Sequence, residues 1–232
     1  MDAVDMETAI TKITEFALSS QPHLVVTLGV EMVMRAQHDE VFRKTVLNAD
    51  LVTPDTVGVV WAANLQGANL KERVAGIELS EKLFPLCVAN KWRIFLLGSE
   101  PGIAQKAAEN LLLRFPELTI AGYEHGYFKD SQEIINKIKE TSPHFLLIGM
   151  GSPRQELWFR KHQDDIKVPV GIGVGGSLDV WAGKCRRVPA WIIKLKLEWL
   201  IRVLGNPNRW KRALALPLFV FEVIRAKIFI KE

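Results

Sequence analysis

The sequence predicts an α/β protein, a Rossmann-like and mostly parallel sheet flanked by helices, followed by a basic, amphipathic helical appendage at the C-terminus. Short apolar segments alternate along the chain with longer segments of helical periodicity. The apolar segments are continuous, which is typical of strands that are buried on both faces. The net charge also changes sign after residue 183. We therefore divide the chain into a core, residues 1–183, and an appendage, residues 184–232.

Five segments rich in Val, Ile, Leu and Phe predict the strands of the core. Seven intervening segments carry apolar residues at helical spacing, and helices between strands allow consecutive strands to run parallel. The predicted strands span residues 23–28, 51–53, 93–97, 145–148 and 168–172. The predicted helices span residues 6–18, 30–47, 57–65, 79–89, 103–115, 132–139 and 155–162.

The appendage combines positive charge with large apolar side chains. It has 12 basic and 3 acidic residues, a net charge of +9, whereas the core has 18 basic and 23 acidic residues, a net charge of −5. Residues 205–207 (Gly-Asn-Pro) predict a break between two helices. Residues 214–230 are mostly apolar, but Glu222, Arg225 and Lys227 make this segment too charged to span a bilayer. The pattern favours an anionic membrane surface over nucleic acid, with a packing helix or an oligomer contact as alternatives.

Several classes of protein are disfavoured. Cys87 and Cys185 are too far apart to indicate a zinc site or a redox motif, and the five histidines are scattered. The chain has no Asp-x-Asp pair, no Walker A loop and no G-x-S-x-G motif. The acidic N-terminal residues are unlike a secretory signal. We therefore expect a cytoplasmic protein with no metal ion and no cofactor.

Ligands of parallel sheets bind beyond the carboxyl ends of the strands, so the residues that follow each predicted strand are the candidates. Asp55 follows the second strand, where it suits either a catalytic carboxylate or the N-cap of the next helix. Gly98 and Ser99 follow the third strand and precede a helix, so that their backbone N–H groups could receive phosphate. In the next loop, Ser152 and Gln155 fit a helix cap and its capping-box partner.

The last loop of the core, residues 171–179, matches the spacing G-x-G-x-x-G and includes Gly175 and Gly176. The residues about 20 positions later are Lys194 and Lys196, where a dinucleotide-binding protein would carry a ribose-binding acid. This disfavours a nicotinamide enzyme but not a phosphate-bearing ligand. Without a metal motif, a diphosphate leaving group would need cationic side chains, and the candidates are Arg73, Arg202, Arg209 and Arg212.

Taken as an ordered set, several motifs resemble the WecG/TagA/CpsF family of glycosyltransferases, and the resemblance runs from about residue 6 to the C-terminus. The motifs are TPD (53–55), ERVAG (72–76), GYF (126–128), GSPRQE (151–156), GVGGSLDV (173–180), RVP (187–189) and LEWL (197–200). The resemblance implies transfer of N-acetylmannosamine, or a related sugar, from a UDP-sugar to undecaprenyl-diphosphate-linked N-acetylglucosamine during synthesis of cell-wall or surface polysaccharides, such as teichoic acid.

The resemblance also implies roles for individual residues. Asp55 matches the proposed general base and Thr27 a polar residue beside it, while Arg73 and Gln155 match further active-site positions. Positions proposed to hold uridine are matched by Tyr127 and Asp179, with Glu156 nearby. The arginines of the family's C-terminal appendage, thought to close over the active site at the membrane, are matched by Arg202, Arg209 and Arg212.

We therefore expect an inverting, metal-independent glycosyltransferase that attaches peripherally to the inner face of the cell membrane. Its partners would be a UDP-sugar donor, a polyprenyl-diphosphate-linked acceptor and an anionic membrane surface, with no nucleic acid; a homo-oligomer is left open. Two alternatives remain at this stage. One is a nucleotide-binding oxidoreductase, and the other is a non-enzymatic membrane adaptor that uses only the appendage.

Overall fold

A six-stranded parallel sheet with helices on both faces forms the body of the protein, in a computed structural model that describes residues 1–185 and 215–229. The strand order is β2-β1-β6-β5-β3-β4, and each neighbouring pair is parallel. This confirms the predicted α/β class. The strands are β1 (His23–Leu28), β2 (Leu51–Pro54), β3 (Arg93–Gly98), β4 (Thr119–Glu124), β5 (Phe145–Gly149) and β6 (Val170–Gly173).

The helices divide between the two faces of the sheet and bury two apolar clusters against it. The described helices are α1 (Met6–Ala17), α2 (Val30–Ala36), α3 (Glu40–Leu47), α4 (Val57–Leu65), α5 (Gly76–Ala89), α6 (Ile103–Arg114), α7 (Ser131–Thr141), α8 (Arg154–Ile166), α9 (Ser177–Trp181) and α10 (Ala215–Phe229). Side chains of α1, α5, α6 and α9 form one cluster with the sheet. Those of α2, α3, α4, α7, α8 and α10 form the other. Both faces of the central strands are therefore covered, which explains their continuous apolar sequences.

One predicted helix needs correction, and one strand and the short helix α9 were not predicted. The single helix predicted over residues 30–47 is two helices, because the side chain of Asp39 accepts a hydrogen bond from the Phe42 N–H and starts a new helix as its N-cap. The strand β4 was not predicted. It lies at the edge of the sheet, is only partly buried and carries Gly122 in its middle, so its sequence has no continuous apolar run.

The last described helix, α10, packs against α2 and α4. Its residue Phe219 is buried on the side that faces these helices, and the Gln66 side chain donates a hydrogen bond to the Val223 carbonyl at 3.4 Å. Large apolar residues on its other side are exposed, among them Leu218, Phe221 and Ile224. Within the described residues, no helix combines the length and the apolar character needed to cross a bilayer. The break predicted at residues 205–207 lies outside the described residues.

The topology predicts a ligand site at the carboxyl edge of the sheet. β3 continues into α6 on one face, whereas its neighbour β5 continues into α8 on the other. Loops that diverge in this way leave a cleft between them, which is where ligands bind in open α/β sheets. The ends of the strands are level, since Leu28 pairs with Pro54 and Gly98 pairs with Gly149. The loops that follow the strands therefore share one edge.

Candidate active site

Asp55 lies directly after β2, and the segment before α5 is folded over it. The Val74 N–H donates to the Pro54 carbonyl at 2.7 Å, and the Gly76 N–H donates to Asp55 Oδ1 at 2.8 Å. The alternative that Asp55 caps α4 is wrong, because the N-cap of that helix is Thr56. The Asp55 carboxylate lies instead at the N-terminus of α5, where the helix dipole stabilises a negative charge.

Thr27 and Arg73 lie at the same corner of the sheet. The Thr27 hydroxyl donates to the Gly173 carbonyl at 2.8 Å, and a β-carbon at Gly76 would lie only 3.0 Å from the Thr27 side chain. Gly76 therefore contacts both Thr27 and Asp55. Arg73 pairs with Glu78 of α5 at 2.7 Å, and their side chains are 16% and 26% exposed. Thr27 and the segment that contains Arg73 thus lie at the corner of the sheet that holds Asp55.

A second group of predicted residues lies at the ends of β3 and β6. Gly98 has φ +144°, and a β-carbon there would lie 2.4 Å from the backbone of Gly149, so this close approach requires glycine. Ser99 follows with φ +59°, and its hydroxyl donates to Asp179 Oδ1 at 2.7 Å. Lys184 reaches the same carboxylate at 3.8 Å and also pairs with Glu100 at 2.8 Å. Lys184 was not among the predicted site residues, since its only signal in the sequence is its position at the start of the basic segment.

Tyr127 belongs to this second group through the loop after β4. The Gly126 N–H donates to the Ser99 carbonyl at 2.8 Å, which places the next residue, Tyr127, beside the loop after β3. The Tyr127 side chain is 63% exposed. Arg154, the first residue of α8, donates to the Gly126 carbonyl at 2.8 Å and ties this loop to the one after β5. Arg154 was not among the predicted site residues, because an arginine in the first turn of a helix resembles an ordinary surface residue.

Gln155 and Glu156 lie between the two groups and are buried. The Gln155 carbonyl oxygen accepts from the Gly151 N–H at 3.1 Å and the Gly175 N–H at 3.2 Å, while its amide nitrogen donates to Glu156 Oε1 at 2.7 Å. Glu156 has no exposed surface, and burial raises the pKa of its carboxyl. The predicted helix cap at Ser152 is wrong: the N-cap is Pro153, and the Ser152 hydroxyl is buried near the Glu156 carboxyl.

Two backbone groups that we expected to receive phosphate are bonded within the protein. The Ser99 N–H donates to the Gly149 carbonyl at 2.9 Å, and the Gly175 N–H donates to Gln155. A phosphate role for Gly98 and Gly176 stays a prediction. Arg202, Arg209 and Arg212 lie outside the described residues. Among the residues that the structure does describe, no three His, Cys, Asp or Glu side chains are grouped so as to hold a metal ion.

The predicted site residues line the carboxyl edge in strand order. Asp55 follows β2, Thr27 is near the end of β1, Ser99 follows β3, and Tyr127 lies beyond β4. β6 and β5 lie between β1 and β3, so the ends of β1 and β3 are about 14 Å apart at the usual spacing of strands. A carboxylate and further polar side chains along one edge of the sheet are typical of ligand-binding enzymes of the Rossmann-like α/β class.

Sequence comparison identifies the family. The Glycosyl transferase WecG/TagA/CpsF family profile matches residues 1–232, and the chain belongs to this family. One relative, an N-acetylglucosaminyldiphosphoundecaprenol N-acetyl-beta-D-mannosaminyltransferase of Bacillus spizizenii, is 34% identical over 201 residues, which cover 87% of this chain and 78% of the relative. A Staphylococcus aureus protein of the same name is 33% identical over 221 residues, which cover 94% of this chain and 87% of that protein. The resemblance inferred from the motifs is thereby confirmed, and the chain is a glycosyltransferase.

Proposed function

We propose that this glycosyltransferase moves N-acetylmannosamine from its UDP form to undecaprenyl-diphosphate-linked N-acetylglucosamine, with inversion at the anomeric carbon. The observation that carries the proposal is the Asp55 carboxylate, held by the Gly76 N–H at the carboxyl edge of the sheet. A base at this position can serve an acceptor hydroxyl. The names of the two relatives support the sugar and the lipid acceptor.

The chemical step that we propose is a single displacement. The acceptor hydroxyl gives its proton to Asp55 while its oxygen forms a bond to the anomeric carbon, and the bond from that carbon to the UDP oxygen breaks with its electron pair. Since one Asp55 oxygen is bonded to Gly76, the carboxylate is already oriented before the acceptor arrives. Attack from the side opposite UDP inverts the anomeric configuration.

We assign the uridine end of the donor to the second group of residues. Ser99 holds Asp179, and Tyr127 offers an exposed ring beside them on which a base can stack. The diphosphate then lies towards the carboxylate corner, across the ends of β5 and β6. In this proposal, arginine side chains, including Arg202, Arg209 and Arg212, stabilise the charge of the leaving UDP without a metal ion.

We also propose that the enzyme meets its lipid-linked acceptor by attaching to the surface of an anionic membrane. The support is the exposed apolar side of α10 together with the basic composition of residues 184–232. Apolar side chains can enter the interface while basic residues attract anionic headgroups.

The test is transfer from several UDP-sugars to a short-chain polyprenyl diphosphate N-acetylglucosamine, with product masses measured. We expect UDP-N-acetylmannosamine to be the best donor, with no loss of activity in EDTA and a product of inverted configuration by NMR. Asp55→Asn keeps an oxygen for the Gly76 N–H but cannot take a proton, so kcat should fall by about 100-fold or more, while UDP affinity stays within about threefold.

The matched control is Asp164→Asn, the same change at an exposed position of α8. This control should leave transfer unchanged. Near-normal turnover by the Asp55→Asn variant would rule out Asp55 as the base. Failure of the parent enzyme to use any UDP-sugar would overturn the proposed donor.

A further inference from the structure

The glycine loops after β5 and β6 are joined by one side chain, that of Gln155. It is 3% exposed, and its carbonyl oxygen accepts from a backbone N–H in each loop, those of Gly151 and Gly175. Both glycines have positive φ, +76° and +52°, a backbone conformation that side chains larger than hydrogen disfavour. Without the Gln155 oxygen, these two partly buried N–H groups would lose the acceptor that they share, so Gln155 stabilises this arrangement of the loops.

The orientation of the Gln155 amide depends on Glu156. The Gln155 amide nitrogen donates to Glu156 Oε1 at 2.7 Å. If the amide were turned over, its N–H₂ group would face the two glycine N–H donors, and its carbonyl oxygen would face Glu156. The Glu156 acceptor therefore favours the one orientation that bridges the loops.

Gly173 makes room for this pair of side chains. A β-carbon at Gly173 would lie 2.5 Å from the Gln155 amide nitrogen and 3.0 Å from Glu156 Oε1. The carbonyl of Gly173 in turn accepts the hydrogen bond from Thr27. A continuous series of contacts thus runs from the glycine loops to the corner that holds Asp55.

We infer that Gln155 is a positioning residue, which holds the loops after β5 and β6 together, and that Glu156 fixes the orientation of its amide. Gln155 acts through Gly151 and Gly175 and does not contact the substrate. The inference rests on the proposed function in one respect, since it takes these loops to be part of the donor site. The connection between the loops, by contrast, does not depend on which substrate the protein binds.

The test uses Gln155→Leu, Glu156→Leu and the exchanged pair Gln155→Glu/Glu156→Gln in the full-length chain. In the exchanged pair, a carboxylate at position 155 can accept from both glycine N–H groups and from the amide at position 156. The first readout is amide hydrogen exchange at Gly151 and Gly175, measured by NMR without ligand. The second is kcat and KM for transfer.

We expect both leucine variants to exchange these two amides about tenfold faster or more and to lose about tenfold in kcat/KM, which is the effect of one lost buried hydrogen bond. The exchanged pair should return both quantities to within about threefold of the parent. The control Gln163→Glu, the same change further along α8, should alter neither. If Gln155→Leu does not fold, the exchanged pair still decides, because it lacks the Gln155 amide but keeps the bridge.

Two results would overturn the inference. One is an exchanged pair that protects both glycines yet transfers as poorly as Gln155→Leu, because the amide would then act on the substrate. The other is unchanged exchange at both glycines in Gln155→Leu. If instead the parent chain transfers nothing from UDP-sugars, the proposed function fails, while the exchange data still decide the connection between the loops.

Discussion

Glu156 is a carboxyl group with no exposed surface. Burial disfavours its charged form and raises its pKa. The neutral form can keep the contact with Gln155, because a protonated carboxyl retains an acceptor oxygen, although this hydrogen bond by itself favours the charged form. The side chains that connect the loops after β5 and β6 therefore include a buried group that titrates, the Glu156 carboxyl.

The raised pKa of Glu156 predicts how the stability of the folded protein depends on pH. A carboxyl whose pKa is raised in the folded state contributes most below its unfolded pKa, and that contribution is lost as the pH rises through the folded pKa. The free energy of unfolding of the parent should therefore fall relative to that of Glu156→Gln as the pH rises from about 4.5 to 8. Urea unfolding of the two proteins at matched pH values measures this difference. A difference that is independent of pH, or of opposite sign, would contradict the prediction.

The helix α10 illustrates how one element can have two kinds of face. Phe219 is 2% exposed and belongs to the cluster on the α2 side of the sheet, whereas Phe221 is 62% exposed. The same residue type thus lies two positions apart in opposite environments. Burial of the first stabilises the docked helix, while exposure of the second leaves apolar surface that an interface could bury.

A pair of substitutions separates these two faces. Phe219→Ala should lower the free energy of unfolding by about 3 kcal/mol, because it leaves a cavity between α10 and its neighbours. Phe221→Ala should change it by less than about 0.5 kcal/mol but should weaken binding to anionic vesicles. Urea unfolding and vesicle sedimentation measure the two effects. Equal stability losses in both variants would show that the two faces are not distinct.

Charge is unevenly divided along the chain, between an acidic core and a basic C-terminal segment. Residues 184–232 carry a net charge of +9 and residues 1–183 a net charge of −5. All six strands lie within residues 1–185. The part of the chain that forms the sheet is therefore not the part that carries the excess of positive charge.

This division predicts a salt-dependent attachment to membranes. The full chain should bind vesicles that contain anionic lipid and should bind at least tenfold more weakly at about 500 mM salt than at about 50 mM. A chain that ends at residue 185 should remain folded but should not bind. Neutral vesicles are the control in sedimentation assays. Equal binding by the shortened chain would place the attachment site in the core.

The sequence predicted the sheet well where strands were buried and poorly where they were not. β5 is apolar throughout because both of its faces are covered, whereas the edge strand β4 is only partly buried and escaped detection. Asp55 and Asp179 could be placed at the correct edge because they follow strands. The contacts of Gln155 and Lys184 could not be predicted from the sequence, since they join segments that only folding brings together.

Thr27 limits what can bind beside the base. Its hydroxyl proton is committed to the Gly173 carbonyl, 2.8 Å away, and a carbonyl can only accept. The threonine oxygen therefore offers incoming molecules nothing but lone pairs. Phosphate oxygens, which seek protons, gain nothing there, whereas a sugar O–H or an acetamido N–H does. In the proposed function, this committed proton would favour the carbohydrate part of the substrate over its anionic part as the neighbour of the Thr27 oxygen.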